Sequence, residues 1–419
     1  MPLRFTRRSL VETSTLLVAG GFTAPAFLVR AAEATPPANT ARAGGTRALV
    51  VVQLGGGNDG LNTIVPYADP SYYRARPRLA IPQKDVLLLS EQVGLNPALE
   101  PLLPLYSEGH LAIVQGVGYP NPNRSHFRSM EIWHTAAPDD YARSGWLGRY
   151  LHNTCCGEER SSALQALNVG DSLPAAFWTE HIPVPSIANL AGFAIQTDKK
   201  YEHERELRLD VLREIYEGAA GKRVYSDYLK QAGANMLLLT QQLQKVAQSV
   251  PATGIPYPNT PFGQGLQMIA RLLSAGLGTR VFYISTGGFD THANQLATHN
   301  RLLRQVAEGL QAFTRDVGER GRADDVVVMV FSEFGRRVRE NGSGGTDHGA
   351  AAPMFLLGTQ VQGGLHGTHP SLLELVDGDL RFNVDFRSVY AAILADWLGT
   401  DPLAVLPNAP PRIELLKSG

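Results

Sequence analysis

Val326-Val327-Val328-Met329-Val330-Phe331-Ser332-Glu333-Phe334-Gly335-Arg336 is the stretch that decides the fold. An unbroken apolar run of this length reads as a strand buried on both faces, and it stops on a carboxylate. Glu333 is thereby delivered to the C-terminal rim of a sheet. Three other apolar runs end in the same manner. Ala48 to Leu54 runs into Gly55-Gly56-Gly57-Asn58-Asp59-Gly60, Leu111 to Val117 leads to Asn123-Arg124-Ser125-His126, and Arg280 to Ser285 leads to Gly287-Gly288-Phe289-Asp290-Thr291-His292. Ligands of open parallel α/β sheets bind outside the carboxyl ends of the strands. If these four strands are neighbours, Asp59, Ser125, Asp290, His292 and Glu333 meet over one crevice.

Helical patterns separate the strands. They begin near Asn96, at Ser125, at Gly145, from Gly265 to Ala275, from Leu296 to Asp316, and from Phe386 to Leu398. Short strands are expected at Leu164 to Val169 and Pro185 to Asn189, and Leu61 to Pro66 reads as extended. Alternation of this kind predicts an α/β fold with a mostly parallel, doubly wound sheet. Between about 200 and 250 the period becomes that of long amphipathic helices, which predicts a helical insertion flanking the sheet.

With 419 residues, 44% of them hydrophobic, the chain has ample material for a core. Its formal net charge of −1 and the lack of a long basic block beyond the N-terminus argue against a nucleic-acid partner. Residues 1–34 carry Arg7-Arg8, a short and diluted apolar run, and Ala32-Glu33-Ala34, which together look like a cleavable twin-arginine export signal. Residues 35–45 form a Pro/Ala/Gly linker, and 46–419 one α/β domain. The expected destination is the periplasm or the exterior, reached through the twin-arginine export machinery, with no stable membrane span in the mature protein. Only two cysteines are present, Cys155 and Cys156, so any metal must be held by carboxylates and imidazoles.

Ser125 supports two readings. As an N-cap it would satisfy an orphan N–H of the following helix; as a nucleophile it would use the same positive helix end, with Arg124, to hold an anionic ester. The loop Asn341-Gly342-Ser343-Gly344-Gly345-Thr346-Asp347-His348-Gly349 presents an adjacent acid and imidazole among glycines, and reads as a metal-ligand pair. Asp59, Asp290, His292, Glu333, Asp347 and His348 would suit Zn, Mn, Mg or Ca, with room for one or two ions. Asn58, Arg124, His126, His366 and His369 are candidates for contact with substrate.

Residues 47–67, 116–133, 145–149, 287–295, 331–358 and 385–399 together resemble the bacterial domain-of-unknown-function family 1501. That family is similar to the alkaline phosphatase superfamily, which includes sulfatases and phosphodiesterases. The resemblance implies an alkaline-phosphatase-like three-layer sandwich. It also implies an exported, metal-dependent hydrolase of phosphate or sulfate esters acting on a small anionic ester or a sulfated or phosphorylated glycan. Asp59 then matches the first acid, Ser125 the nucleophile, and Asp290 with His292 a further metal group, spaced more narrowly than usual. Asp347-His348-Gly349 copies the superfamily's Asp-His-Gly in letters, but Ser332-Glu333-Phe334-Gly335 follows a strand, leaving His348 as the last imidazole. The second assignment preserves strand order and puts Phe334 where an imidazole belongs, so the second ion site is incomplete. The alternative function is a degenerate secreted member of the fold that binds an anionic ligand or assists envelope assembly.

Overall fold

A computed structural model describes residues 47–155, 164–179, 184–188 and 239–417, apart from 247 and 407, together with isolated helical positions at 207, 210, 211 and 214. The export signal, the linker, the side chains of Cys155 and Cys156 and most of the expected helical insertion fall outside these residues. The chain divides into two compact units, and nearly all described residues belong to the larger, Ala34–Thr179, Val184–Gln196 and Leu239–Gly419. From 239 onward the insertion is helical and contributes Leu243 and Val246 to the main core.

In chain order the principal elements begin with β1 (Ala48–Leu54), α1 (Pro70–Ala75), β2 (Leu111–Gly118), α2 (His126–Thr135) and α3 (Trp146–Cys155). Next come β3 (Ala166–Val169), β4 (Ser186–Ile187), α4 (Pro261–Ser274), β5 (Val281–Thr286) and α5 (Gln295–Glu319). The last are β6 (Val326–Ser332), β7 (Ala352–Leu357), β8 (Gly364–His366), β9 (Val384–Asp385) and α6 (Phe386–Ala392). Among the described residues nine strands form one sheet in the order β8-β2-β7-β6-β1-β5-β3-β4, with β9 also paired to β2. Every pairing is parallel except those of β7, which runs against both β6 and β2.

The central position of β1 and β6 explains their composition: all seven residues of β6 are buried, and six of seven in β1. Ala48, Val50, Val52 and Leu54 point into a core shared with Phe262, Leu266 and Ile269 of α4 and Leu303, Val306 and Leu310 of α5. On the opposite face the Trp133 ring stacks on Phe331 and Phe386, with centroids 5.1 and 4.5 Å apart, and Trp146 stacks on Tyr390 at 4.3 Å. Each such aromatic pair adds roughly 0.5–1.5 kcal/mol beyond its buried area. Helices therefore cover both faces, giving the expected three-layer, doubly wound α/β arrangement. No helix among the described residues is long and apolar enough to cross a membrane.

The topology gathers the C-terminal ends of β1, β2, β5 and β6 on one rim. Because β7 is reversed, its N-terminal end lies on that same rim, so the 333–351 loop leaves it and comes back to it. One local expectation is corrected here: Gly60–Asn62 is a 3-10 turn capped by Asp59, and only Ile64–Val65 of the segment thought extended is strand.

Candidate metal centre

The two loops that follow β1 and β5 touch, and glycine makes this possible. Gly56 has φ +118°, and a Cβ there would lie 2.4 Å from the Asp290 nitrogen; at Gly57, φ +79°, it would lie 2.3 Å from the Phe334 ring. Asp290 is thereby raised to the rim, where its side chain is 46% exposed.

Three imidazoles surround Asp290. His348 Nε2 stands 2.9 Å and His292 Nε2 3.0 Å from its Oδ1, and His126 Nε2 3.4 Å from its Oδ2. The two nearer Nε2 atoms are 3.0 Å from one another. Each ring is held from behind through Nδ1: His348 donates to the Arg124 carbonyl at 2.8 Å, His292 to Asp347 Oδ1 at 3.2 Å, and His126 to Glu333 Oε1 at 2.9 Å. These partners assign the tautomer, since a carbonyl or carboxylate can only accept. All three Nε2 lone pairs then face Asp290, and the one side-chain donor that the described residues offer to this carboxylate is Arg336 Nη2, 2.7 Å from Oδ1. Such an arrangement calls for a cation. Imidazoles oriented by an outer carboxylate or carbonyl are a recurrent feature of metal sites, and ligands at 2.0–2.1 Å from a tetrahedral ion lie roughly 3.3 Å apart, close to the separations here. Among the described residues, His126, Asp290 and His348 offer donor atoms all within 4.8 Å of each other.

Several expected roles change. Glu333 and Asp347 serve as outer partners of His126 and His292, with Glu333 buried and also accepting from the Gly56 N–H at 2.8 Å. His126, expected to touch substrate, is one of the converging imidazoles. Asp59, expected to be a ligand, is fully buried and turned away: its Oδ2 accepts from Arg76 Nη1 at 2.6 Å and from Gln295 Nε2, and its Oδ1 from the Asn62 N–H. Burial alone would raise the Asp59 carboxyl, but the Arg76 guanidinium outweighs it and holds the group below the usual carboxylate range. Asn58 is likewise internal, its Oδ1 taken by Thr63 Oγ1 and by His299 Nε2 at 2.9 Å. His366 Nε2 bonds to the Gln362 carbonyl and His369 Nδ1 to the Pro370 carbonyl, so neither joins the cluster. Ser125 is exposed at the N-cap of α2, makes no side-chain capping bond, and sits between the Arg124 carbonyl that orients His348 and the His126 ring. Arg124 itself reaches to Asp379.

Phe334 packs its ring against His126 and His348, with centroids 4.9 and 4.7 Å away, and forms an apolar wall to the site. Arg336, like Arg76, is a residue that sequence reasoning missed. Fully buried, it donates to the carbonyls of Gly57, Thr346, Phe289 and Gly56 and, at 2.7 Å, to Asp290 Oδ1. Burial tends to raise the Asp290 carboxyl, yet its contacts with His348 and with the Arg336 guanidinium draw it well below the ordinary value. In the run Arg336-Arg337-Val338-Arg339 nothing in residue type sets the buried arginine apart from its more exposed neighbours.

No curated protein matches the chain. Among solved structures it is similar to the zinc-bound C-terminal periplasmic domain of EcEptC from Escherichia coli, with 9% identity over 75% of this chain and 74% of that one and a TM-score of 0.37. An alkaline phosphatase from the Antarctic bacterium TAB5 gives 11%, 75%, 92% and 0.32 for the same quantities. For the PsFucS1 sulfatase from Pseudoalteromonas sp. they are 9%, 86%, 68% and 0.33. Likeness of this degree leaves the chemistry to be read from the side chains. In sequence, residues 112–403 match the family described as Protein of unknown function (DUF1501), and the chain belongs to that family.

Proposed function

We propose that this protein is an exported hydrolase of a phosphate or sulfate ester, working with one divalent ion held by His126, Asp290, His292 and His348. The observation that carries the reading is the convergence of three outward-anchored imidazoles on one carboxylate. Three nitrogen donors favour Zn, with Mn second, over Mg and Ca, which prefer shells of oxygen. When bound, the ion polarises an ester oxygen and makes a nearby hydroxyl more acidic. Ser125 Oγ attacks phosphorus or sulfur and gives up its proton to solvent, the bond to the leaving oxygen breaks and that oxygen takes a proton from solvent, and water then cleaves the seryl ester, restoring the Ser125 hydroxyl and freeing phosphate or sulfate. The unpaired N–H groups in the first turn of α2 help to stabilise the negative oxygens. Phe334 and the capture of Asp59 by Arg76 argue for a single ion.

Those same two features favour a second reading, a secreted protein that holds an anionic ligand without turning it over. Metal analysis and a panel of aryl phosphate, phosphodiester and sulfate esters separate the two. The hydrolase reading expects about one Zn per chain and turnover that falls by about a thousandfold or more in Ser125→Ala with the metal retained. Bound Zn with no ester cleaved favours the binding protein, and failure to take up Zn or Mn at micromolar concentrations overturns both. Export by the twin-arginine route into the periplasm or beyond is part of the proposal; replacing Arg7-Arg8 by two lysines is expected to keep the precursor in the cytoplasm.

A further inference from the structure

Next to Ser125, on the side away from His126 in sequence, lies a second charged feature that the ester chemistry above does not use. Arg124 directs Nε and Nη2 to Asp379 Oδ2 at 2.7 and 2.5 Å, while Arg337 Nε stands 3.6 Å from Oδ1 of the same carboxylate. The Asp379 side chain is 3% exposed, whereas those of Arg124 and Arg337 are 38% and 34% exposed. Asp379 is carried by a small hairpin, Leu375–Val376 with Asp379–Leu380, whose turn residues Asp377 and Gly378 have φ of +52° and +82°, as a tight two-residue turn requires. Arg337 Nη1 donates to the Asp377 carbonyl at 2.7 Å.

One buried carboxylate thus lies between two guanidiniums, with the Asp377 and Asp347 carboxylates also near them. Fastening the hairpin needs a single ion pair, and Arg124 supplies it. Arg337 is too far from Asp379 for a hydrogen bond, and Asp379 Oδ1 has no hydrogen-bond partner. Arg124 Nη1 and Arg337 Nη2 make no hydrogen bond among the described residues, so each fork keeps donors for something else. The pair also borders the imidazole cluster. The Arg124 carbonyl orients His348, and the Arg337 N–H donates to the Asp347 carbonyl at 2.9 Å. Planar guanidiniums with free parallel N–H groups suit phosphate, sulfate and carboxylate oxygens.

We propose that Arg124 and Arg337 form an oxyanion subsite beside the imidazole cluster, so that the protein prefers an ester bearing a second negatively charged group. The role in turnover rests on the hydrolase reading; the binding role stands without it. Zinc-loaded protein is titrated by calorimetry with butyl phosphate and with alkane-1,n-diyl bisphosphates of two to six carbons, a series that varies the span between the charges. At least one bisphosphate is expected to bind about tenfold more tightly than butyl phosphate, as one added charge-assisted contact implies. Arg337→Gln is expected to abolish that preference and Arg337→Lys to restore part of it, with the melting temperature showing that each variant folds. Equal binding of mono- and bisphosphates by the parent protein overturns the subsite. So does an equal loss for both ligands in Arg337→Gln, the result of a merely structural fastening. If no ester is cleaved but the bisphosphate preference persists and responds to Arg337, the subsite stands and the hydrolase reading falls.

Discussion

Asp59 and Asp290 follow glycine-rich loops at the ends of two paired strands, β1 and β5, whose last residues Leu54 and Thr286 lie side by side. Their fates are opposite. Asp59 is sealed beneath the rim, bonded to Arg76 and Gln295 and capping a 3-10 turn, whereas Asp290 stands open among three imidazoles. Asp59 has both oxygens taken, by Arg76 and Gln295 on Oδ2 and by the Asn62 N–H on Oδ1, whereas Arg336 takes only Oδ1 of the half-exposed Asp290. The strand end places an acid; what the rest of the chain brings to it decides its work. Arg76 arrives at the C-terminal cap of the short helix α1, and His348 arrives by the loop that precedes the reversed strand β7.

This contrast can be broken most forcefully at Arg76. Arg76→Met leaves a buried charge without its partner and is expected to cost about 3–5 kcal/mol in urea unfolding, while the zinc content of the folded fraction is unchanged. Loss of zinc at unchanged stability would return Asp59 to the metal site. Acid should act next. His299, bonded to Asn58 beside Asp59, and His134, against Gln53 and Tyr283, are both pushed by burial from 6.5 to about 4. Unfolded, each ring takes up a proton near pH 6.5; folded, each stays neutral until about pH 4. The unfolded chain therefore binds more protons within that window, and stability complete above pH 6.5 is lost as pH falls towards 4, by roughly 3 kcal/mol per histidine. His299→Gln should flatten the slope, and an unaltered slope would show that this ring is not buried neutral.

Smaller effects sharpen the Asp290 side. Asp347→Asn, which weakens the hold on His292 Nδ1, is expected to reduce zinc affinity about ten- to hundredfold in competition with a chromogenic chelator. An unchanged affinity would remove Asp347 from its orienting role. His292→Ala should shift unfolding by less than about 0.5 kcal/mol, because the side chain is 44% exposed, although it should release the ion.

Much of the sheet could be read from sequence because β1, β2, β5 and β6 are buried on both faces and so are nearly continuous in apolar residues. The reversal of β7 could not, since Pro353 to Leu357 is equally apolar in either direction. At the rim, Asp290, His292, His348 and Glu333 were legible as groups placed together, but not as inner and outer partners. That division depends on which ring nitrogen faces which oxygen, a matter of side-chain rotation that residue spacing does not encode. Arg76 and Arg336 escaped for a different reason: a buried arginine and a solvated one look alike until the carbonyls around it are known.

The buried guanidinium of Arg336 joins Thr346, ten residues on, to Gly57, 279 residues back along the chain. During synthesis the centre therefore cannot assemble until the chain through His348 has left the ribosome. Fragments ending before Thr346 should be unable to trap an ion, however well their early strands pair.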